Sequence, residues 1–198
     1  MSTRKALVFF AAGFFCPLFV TVLAGCNYVH ADPRVAFLGD SLTAQWHYPV
    51  VNYGVVGNTT AEMLDRFPRL IPGHGYTKVV ILGGTNDVLL KVDPEITIRN
   101  LETMADNVTQ QKAEPILCEI PPIFHNYDPT DRSDYGPTVV SLNRRIAQLA
   151  ATHHWKLVDY YSPIAGHPSL SSDGVHMKSR GYLLMESSLL AKLPGSGS

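Results

Sequence analysis

The stretch FLGDSLT, residues 37–43, ends an apolar run in Gly-Asp-Ser and continues into a helix-compatible segment. Two roles are open to Ser41. Serine and aspartate are favoured helix N-caps, because their side-chain oxygens accept the unpaired N–H groups of the first turn. A serine at the end of a buried strand can also be a nucleophile. Acyl transfer by serine needs a base for the hydroxyl proton, a group that orients the base, and donors for the oxyanion. The chain contains each of these. SSDGVHM, residues 171–177, carries Asp173 and His176. At a spacing of three on a turn, the carboxylate can fold back onto the imidazole Nδ1–H and leave Nε2 to face Ser41. Gly174 gives that turn its backbone freedom. NYGVVGNTT, residues 52–60, offers glycines where a backbone N–H can approach a ligand, and GGTND, residues 83–87, offers the Asn86 amide. Taken singly, these are turn glycines, an Asx turn and a surface histidine. Together, each behind a strand, they point to serine-based acyl chemistry.

The elements that must position these residues are legible in the hydrophobic pattern. RVAFLG (34–39), a short run within YPVVNYGVV (48–56), TKVVILGG (77–84), EPILCEI (114–120) and WKLVDY (155–160) read as five strands. Continuous rather than alternating apolar runs predict a parallel sheet covered on both faces. Helical periodicity lies between them. Residues 93–111 put Ile98, Leu101, Met104, Ala105 and Val108 on one stripe, with Asp93 as cap and Pro94 at the first helical position. Residues 138–154 put Val139, Leu142, Ile146 and Leu149 on one face, and residues 179–193 form a last helix. His153 and His154, in a last turn where a cation suits the helix dipole, read as surface residues rather than metal ligands. The alternation predicts an α/β fold: three αβα layers around a doubly wound, five-stranded parallel sheet. Ligands bind such sheets beyond the carboxyl ends of the strands. Ser41, Gly57, Asn86 and the Asp173–His176 pair all follow strands.

Composition sets the outer limits. The chain has 198 residues, of which 45% are hydrophobic and 17% charged, enough for one domain with a substantial core. A formal net charge of −1 carries no basic footprint for nucleic acid. At the N-terminus, Arg4 and Lys5 precede an apolar run from Ala6 to Gly25, the pattern of an export signal. The run is also about long enough to span a bilayer. LAGC, residues 23–26, decides between the two because it resembles the lipobox of bacterial lipoprotein signals. That resemblance implies cleavage before Cys26, a diacylglyceryl group on its thiol, and membrane association through that group. Asn27 in place of aspartate implies outer-membrane sorting if the host is Gram-negative. The expected organisation is a signal over 1–25, a lipidated linker over 26–33, the catalytic domain over 34–193 and a flexible tail over 194–198. Loss of Arg4 and Lys5 takes the formal charge from −1 to −3. Cys16 leaves with the signal and Cys26 is lipidated, so Cys118 has no disulfide partner. In the apolar run PILCEI it reads as a small core residue.

The four blocks together resemble the SGNH hydrolases, also called GDSL esterases and lipases. Gly39 to Leu42 reads GDSL. Asn52, Gly54 and Gly57 match the family's glycine loop, Gly84 to Asp87 matches G-x-N-D, and Asp173 to His176 matches D-x-x-H. Met177 stands where many members have proline, a departure that bears on loop rigidity. The resemblance covers roughly residues 34–193. It implies the flavodoxin-like SGNH hydrolase fold, with Ser41 as nucleophile, His176 as base and Asp173 orienting it. It also implies an oxyanion hole from the backbone N–H groups of Ser41 and Gly57 and the Asn86 amide. No metal or organic cofactor is implied. The expected function is hydrolysis of carboxylic esters with short or medium acyl groups, O-acetyl groups on glycans among them. A lysophospholipase or thioesterase is the alternative enzyme, and a non-catalytic envelope lipoprotein the alternative outside catalysis. Trp46, Tyr48, Phe124, Tyr127 and Tyr135 are the aromatic candidates for the pocket wall.

Overall fold

The computed structural model describes residues 32–47, 50–126, 128 and 130–193. The expected signal, Cys26, the tail over 194–198, Tyr48 and Tyr127 lie outside the described residues. Among the described residues, five strands, β1 (Val35–Gly39), β2 (Val51–Gly54), β3 (Lys78–Leu82), β4 (Glu114–Cys118) and β5 (Lys156–Val158), form one sheet in the order β2-β1-β3-β4-β5. Every pairing is parallel. The order reverses beside β1, as in flavodoxin-like doubly wound sheets, which opens a crevice at the C-terminal ends of β1 and β3.

The strand sequences account for their places. β1 is buried along its whole length, and β3 and β4 at all but their first residue, as continuous apolar runs require. β2 mixes Asn52 and Tyr53 into a half-exposed edge, and three-residue β5 forms the other edge. Both glycines of TKVVILGG fall outside β3, and Gly84 takes φ +120° as the chain turns into a helix.

Among the described residues, six α-helices connect and cover the strands: α1 (Ser41–Ala44), α2 (Thr60–Leu70), α3 (Thr85–Leu89), α4 (Pro94–Gln110), α5 (Gly136–His153) and α6 (Ser179–Leu190). Asp93 caps α4 through the Glu95 N–H (2.9 Å), with Pro94 at its first position as expected. Thr59 and Glu62 close a reciprocal capping box at the start of α2. The apolar stripes of α4 and α5 are buried as expected, although Ile98 is only partly covered. Buried Asn143 extends the α5 face by bonding both the N–H and the C=O of Ile120 at 2.9 Å. His153 is half-buried rather than a surface residue. Its Nε2 lies 3.0 Å from Glu102 on α4, and its ring stacks on Trp155 at 4.2 Å. Among the described residues no group of three or more His, Cys, Asp or Glu could hold a metal.

Cys118 is buried, and burial pushes its thiol up to about 12, so it packs as a core residue. Trp46 also belongs to the core. It meets Phe37 edge-on at 5.5 Å and Tyr182 edge-on at 5.8 Å. Among the described residues no helix is long and apolar enough to cross a membrane.

Candidate active site

Four segments at the C-terminal edge of the sheet carry the candidate residues, and the Asp173–His176 turn meets Ser41 directly. The first is only one residue long. β1 ends at Gly39, Asp40 caps α1 by accepting the Leu42 N–H at 2.9 Å, and Ser41 opens the helix. The cap and the candidate nucleophile are therefore neighbouring residues. Gly39 has no room for a side chain: a Cβ there would stand 2.0 Å from Thr43 Oγ1 and 2.6 Å from the Leu82 carbonyl.

The Asp173–His176 turn comes from the segment before α6. His176 Nε2 lies 2.9 Å from Ser41 Oγ, and His176 Nδ1 lies 2.7 Å from Asp173 Oδ2. The spacing of three thus does what the sequence predicts. The other carboxylate oxygen, Oδ1, accepts the N–H groups of Val175 (3.0 Å) and His176 (2.7 Å), which fixes the turn from inside. Burial raises the Asp173 pKa, but the hydrogen bonds from His176 and Val175 outweigh it and hold the carboxyl below its ordinary range. Gly174 sits at φ +91°, and a Cβ there would meet the His125 carbonyl at 2.5 Å. Ser171 closes the turn, accepting the Gly174 N–H and donating to the His176 carbonyl, both at 2.8 Å. Met177, at the proline position of the family pattern, is buried and bridges Ser171.

The second loop carries Gly54 and Gly57, and the two glycines serve different ends. A Cβ on Gly54 would press into the Ala44 backbone at 2.1 Å, so its bareness lets β2 lie against α1 rather than against a ligand. Gly57 has open space around its Cβ position but φ +79°. It is the third residue of a turn closed by the Asn58 N–H to the Val55 carbonyl at 3.2 Å, where a positive φ is required. Asn52 does not face the reaction centre. It holds the end of α1 through the Thr43 carbonyl and accepts the Gly54 N–H, both at 2.8 Å.

Asn86 is the second residue of α3 and is buried. Its amide donates to the Asn58 carbonyl at 2.9 Å, one residue beyond Gly57, a contact with a distant segment that an Asx turn does not account for. A side-chain amide carries two hydrogens, so this bond fixes the direction of the second.

Two residues at the site have no role in the sequence reading. Asp87 is buried and accepts the Thr60 N–H (2.9 Å), the Thr60 hydroxyl (2.5 Å) and the Thr97 hydroxyl (3.1 Å). It therefore ties α3 to the starts of α2 and α4. Its signal was its place in the GGTND block. Arg66 on α2 donates from Nη2 to the Gly39 carbonyl and from Nε to Asn58 Oδ1, both at 2.7 Å. Burial lowers its pKa while the Asp40 charge raises it, with a net shift downward. A lone arginine on an amphipathic helix carried no signal. Of the expected aromatic walls, Trp46 and Tyr135 are buried. Tyr135 donates its hydroxyl to Asp131 at 2.6 Å. Phe124 is partly exposed, and its N–H donates to the Gly174 carbonyl at 2.8 Å.

A doubly wound α/β sheet with a serine, an imidazole and a carboxylate in series at its C-terminal edge defines a class of protein. Residues 19–184 match the model of the GDSL-like Lipase/Acylhydrolase family, and the chain belongs to that family. A GDSL-like lipase from Bacteroides thetaiotaomicron superposes with a TM-score of 0.75 at 29% identity, over 81% of this chain and 87% of that one. The esterase TesA of Pseudomonas aeruginosa is 29% identical over 136 residues, 66% of this chain and 62% of the relative. The thioesterase 1/protease 1/lysophospholipase L1 of Escherichia coli K12 is 34% identical over 71 residues, 36% of this chain and 34% of the relative. The chain thus spans less than two thirds of the length of these curated relatives.

The burial of Asp40 has a measurable consequence. Desolvation pushes its carboxyl from 3.8 up to about 7, against the Leu42 N–H and the charge of His176, and with the help of the Asp87 charge. An acid whose folded pKa is raised stabilises the fold fully below its unfolded pKa, and that contribution is lost as pH rises through the folded value. Asp40→Asn keeps an acceptor for Leu42 and cannot ionise. The urea midpoint of the wild type, measured relative to Asp40→Asn, should therefore fall between about pH 4 and pH 8. A difference that stays constant over that range would mean that Asp40 ionises normally.

Proposed function

We propose that the chain is a serine esterase that hydrolyses carboxylic esters through an acyl-enzyme on Ser41. The observation that carries this reading is the unbroken series Ser41 Oγ, His176, Asp173 at 2.9 and 2.7 Å. His176 Nε2 takes the hydroxyl proton as Oγ attacks the ester carbonyl. The imidazolium that forms is stabilised by Asp173, which stays ionised because its pKa is lowered. The tetrahedral oxyanion is met by the N–H groups of Ser41 and Gly57 and by the Asn86 amide, with the N-terminus of α1 adding its partial positive charge. His176 then protonates the departing alcohol. Water repeats the sequence in reverse and releases the acid.

For the acyl group, short and medium esters, including O-acetyl groups on glycans, are the first reading. It is supported by the lack of any long apolar insertion that could serve as a lid. A second reading, a thioesterase or lysophospholipase, is favoured by Val55 and Val56. They stand 42% and 70% exposed directly before Gly57, where an acyl chain could lie. The activities for which the E. coli relative is named point the same way. Hydrolysis of p-nitrophenyl esters of increasing chain length separates the two. A maximum at acetate to butyrate supports the first, and one at octanoate or longer the second. A fluorophosphonate probe should label the wild type and leave Ser41→Ala unlabelled and inactive. Labelling of Ser41→Ala, or no ester cleavage by the wild type, would leave a scaffold rather than this enzyme.

The Asn86 amide should matter only where charge develops. Asn86→Ala should lower kcat on a short-chain ester by about 10² to 10³, with KM nearly unchanged. Asn86→Asp should be at least as damaging. A large fall in urea midpoint with kcat within about threefold of wild type would make Asn86 a loop-holding residue.

We further propose that the protein is a cell-envelope lipoprotein anchored through Cys26, a reading supported by LAGC behind a charged and an apolar segment. In a bacterial host the wild type should incorporate labelled palmitate, and Cys26→Ser should accumulate as unprocessed precursor. A chain that is processed but unlabelled would be a secreted enzyme instead.

A further inference from the structure

The three proposed oxyanion donors come from three separate loops. The Ser41 N–H follows β1, the Gly57 N–H follows β2, and the Asn86 amide follows β3. Three donors aimed at one oxygen are useful only if their separations hold to a fraction of an ångström, and backbone pairing within the sheet ends before any of them. Beyond the sheet, Asp87 holds Thr60, and the crosslinks nearest the donors pass through two carbonyls. The Gly39 carbonyl, two residues before Ser41, accepts the Val55 N–H at 3.1 Å and Arg66 Nη2 at 2.7 Å. The Asn58 carbonyl, one residue after Gly57, accepts the Asn86 amide at 2.9 Å. The side chain of the same Asn58 accepts Arg66 Nε at 2.7 Å.

We propose that Arg66 is the positioning residue of the oxyanion site, locking the Gly57–Asn58 turn to the β1 terminus and, through Asn58, holding the Asn86 amide in register with Ser41. The inference rests on the assignment of Gly57 and Asn86 as oxyanion donors. The guanidinium suits the task because its Nε–H and Nη2–H are neighbouring donors in one rigid plane. Two acceptors from different loops, Gly39 O and Asn58 Oδ1, are thereby held side by side at a fixed spacing. A lysine in its place offers one point charge on a flexible stem and cannot set that spacing. Without Arg66, the Val55–Gly39 and Asn86–Asn58 bonds and the Asp87–Thr60 pair remain, but the direct tie of Asn58 to the β1 terminus is lost, and the carbonyl that aims Asn86 sits on a turn free to shift against Ser41. A misplacement of about 1 Å in a catalytic constellation typically costs about 10²-fold in rate.

The prediction separates positioning from simple stabilisation. Arg66→Met keeps the packing of the side-chain stem and removes both hydrogen bonds. On p-nitrophenyl acetate its kcat should fall about 10- to 100-fold with KM within about threefold of wild type. Arg66→Lys should recover little of that loss. The decisive measurement is a double-mutant cycle with Asn86→Ala. If Arg66 acts through Asn86 and the turn, adding Arg66→Met to Asn86→Ala should slow the enzyme by clearly less than Arg66→Met slows the wild type, whereas independent effects would multiply. Should Arg66→Met fail to fold, as judged by its urea transition, Asn58→Ala replaces it in the cycle. That variant removes the Oδ1 acceptor and leaves the Asn58 carbonyl in place. Multiplicative losses, or a kcat within threefold of wild type for a folded Arg66→Met or Asn58→Ala, would overturn the inference. Such a result beside inactive Ser41→Ala and impaired Asn86→Ala would leave the esterase reading intact. Normal activity of Ser41→Ala or Asn86→Ala would instead remove the reading on which the inference rests.

Discussion

Parallel pairing at the centre of the sheet is the constraint on which the site depends. β1 is in register with β2 on one side and β3 on the other, so that Gly39 lies opposite both Gly54 and Leu82. Parallel strands all point the same way, and this register brings three of them to their ends at one level. The segments carrying Ser41, Gly57 and Asn86 then begin side by side, about one strand spacing apart. In an antiparallel arrangement β1 and its neighbours would send their loops to opposite edges. A slip of one residue would invert every buried side chain of β1 and β3, and both strands are covered on both faces. The apolar runs that make these strands thus also hold the loops level.

Beyond the last backbone pair, polar side chains take over. Asp87 joins α3 to α2 and α4 through Thr60 and Thr97. Arg66 joins α2 to the β1 terminus and the Gly57 turn. Asp40 joins the strand to α1. Asp40 and Asp87 are deeply buried, and burying charge is costly unless it is paired and hydrogen-bonded. Asp87 meets that condition with three donors. Asp40 has one bonded oxygen and one buried oxygen without a partner among the described residues, and its carboxyl responds by holding its proton to about pH 7. Of the charges around it, that of Asp87 adds to this shift and that of His176 opposes it.

The glycines divide by physical cause. Gly39 and Gly54 are bare because backbone and helix press on them, and any Cβ would collide. Gly57 is bare because its turn requires a positive φ, and the space around it is open. Gly174 meets both demands. The distinction bears on the proposed oxyanion role, for which open space at Gly57 would admit a substrate carbonyl. Close packing at Gly54 instead seats α1, and with it Ser41.

Much of this was legible in the sequence by itself. Continuous apolar runs separated by helical periodicity specify a parallel α/β sheet, because only strands buried on both faces lack polar alternation. The Asp173–His176 spacing specifies their contact, because three residues on a turn leave the carboxylate few other places to go. Cys118 is buried because it sits inside one of those runs. Tertiary structure decided what depends on distant segments meeting. It buried Trp46 against Phe37 and Tyr182 in the core, and drew His153 against α4. It turned the Asn86 amide toward Asn58, 28 residues away in the chain. It also placed Arg66 between the β1 terminus and the Gly57 turn. Local pattern encodes which face of an element is apolar. It does not encode which carbonyl a long polar side chain will find, because that carbonyl belongs to another element and comes within reach only once the sheet has formed.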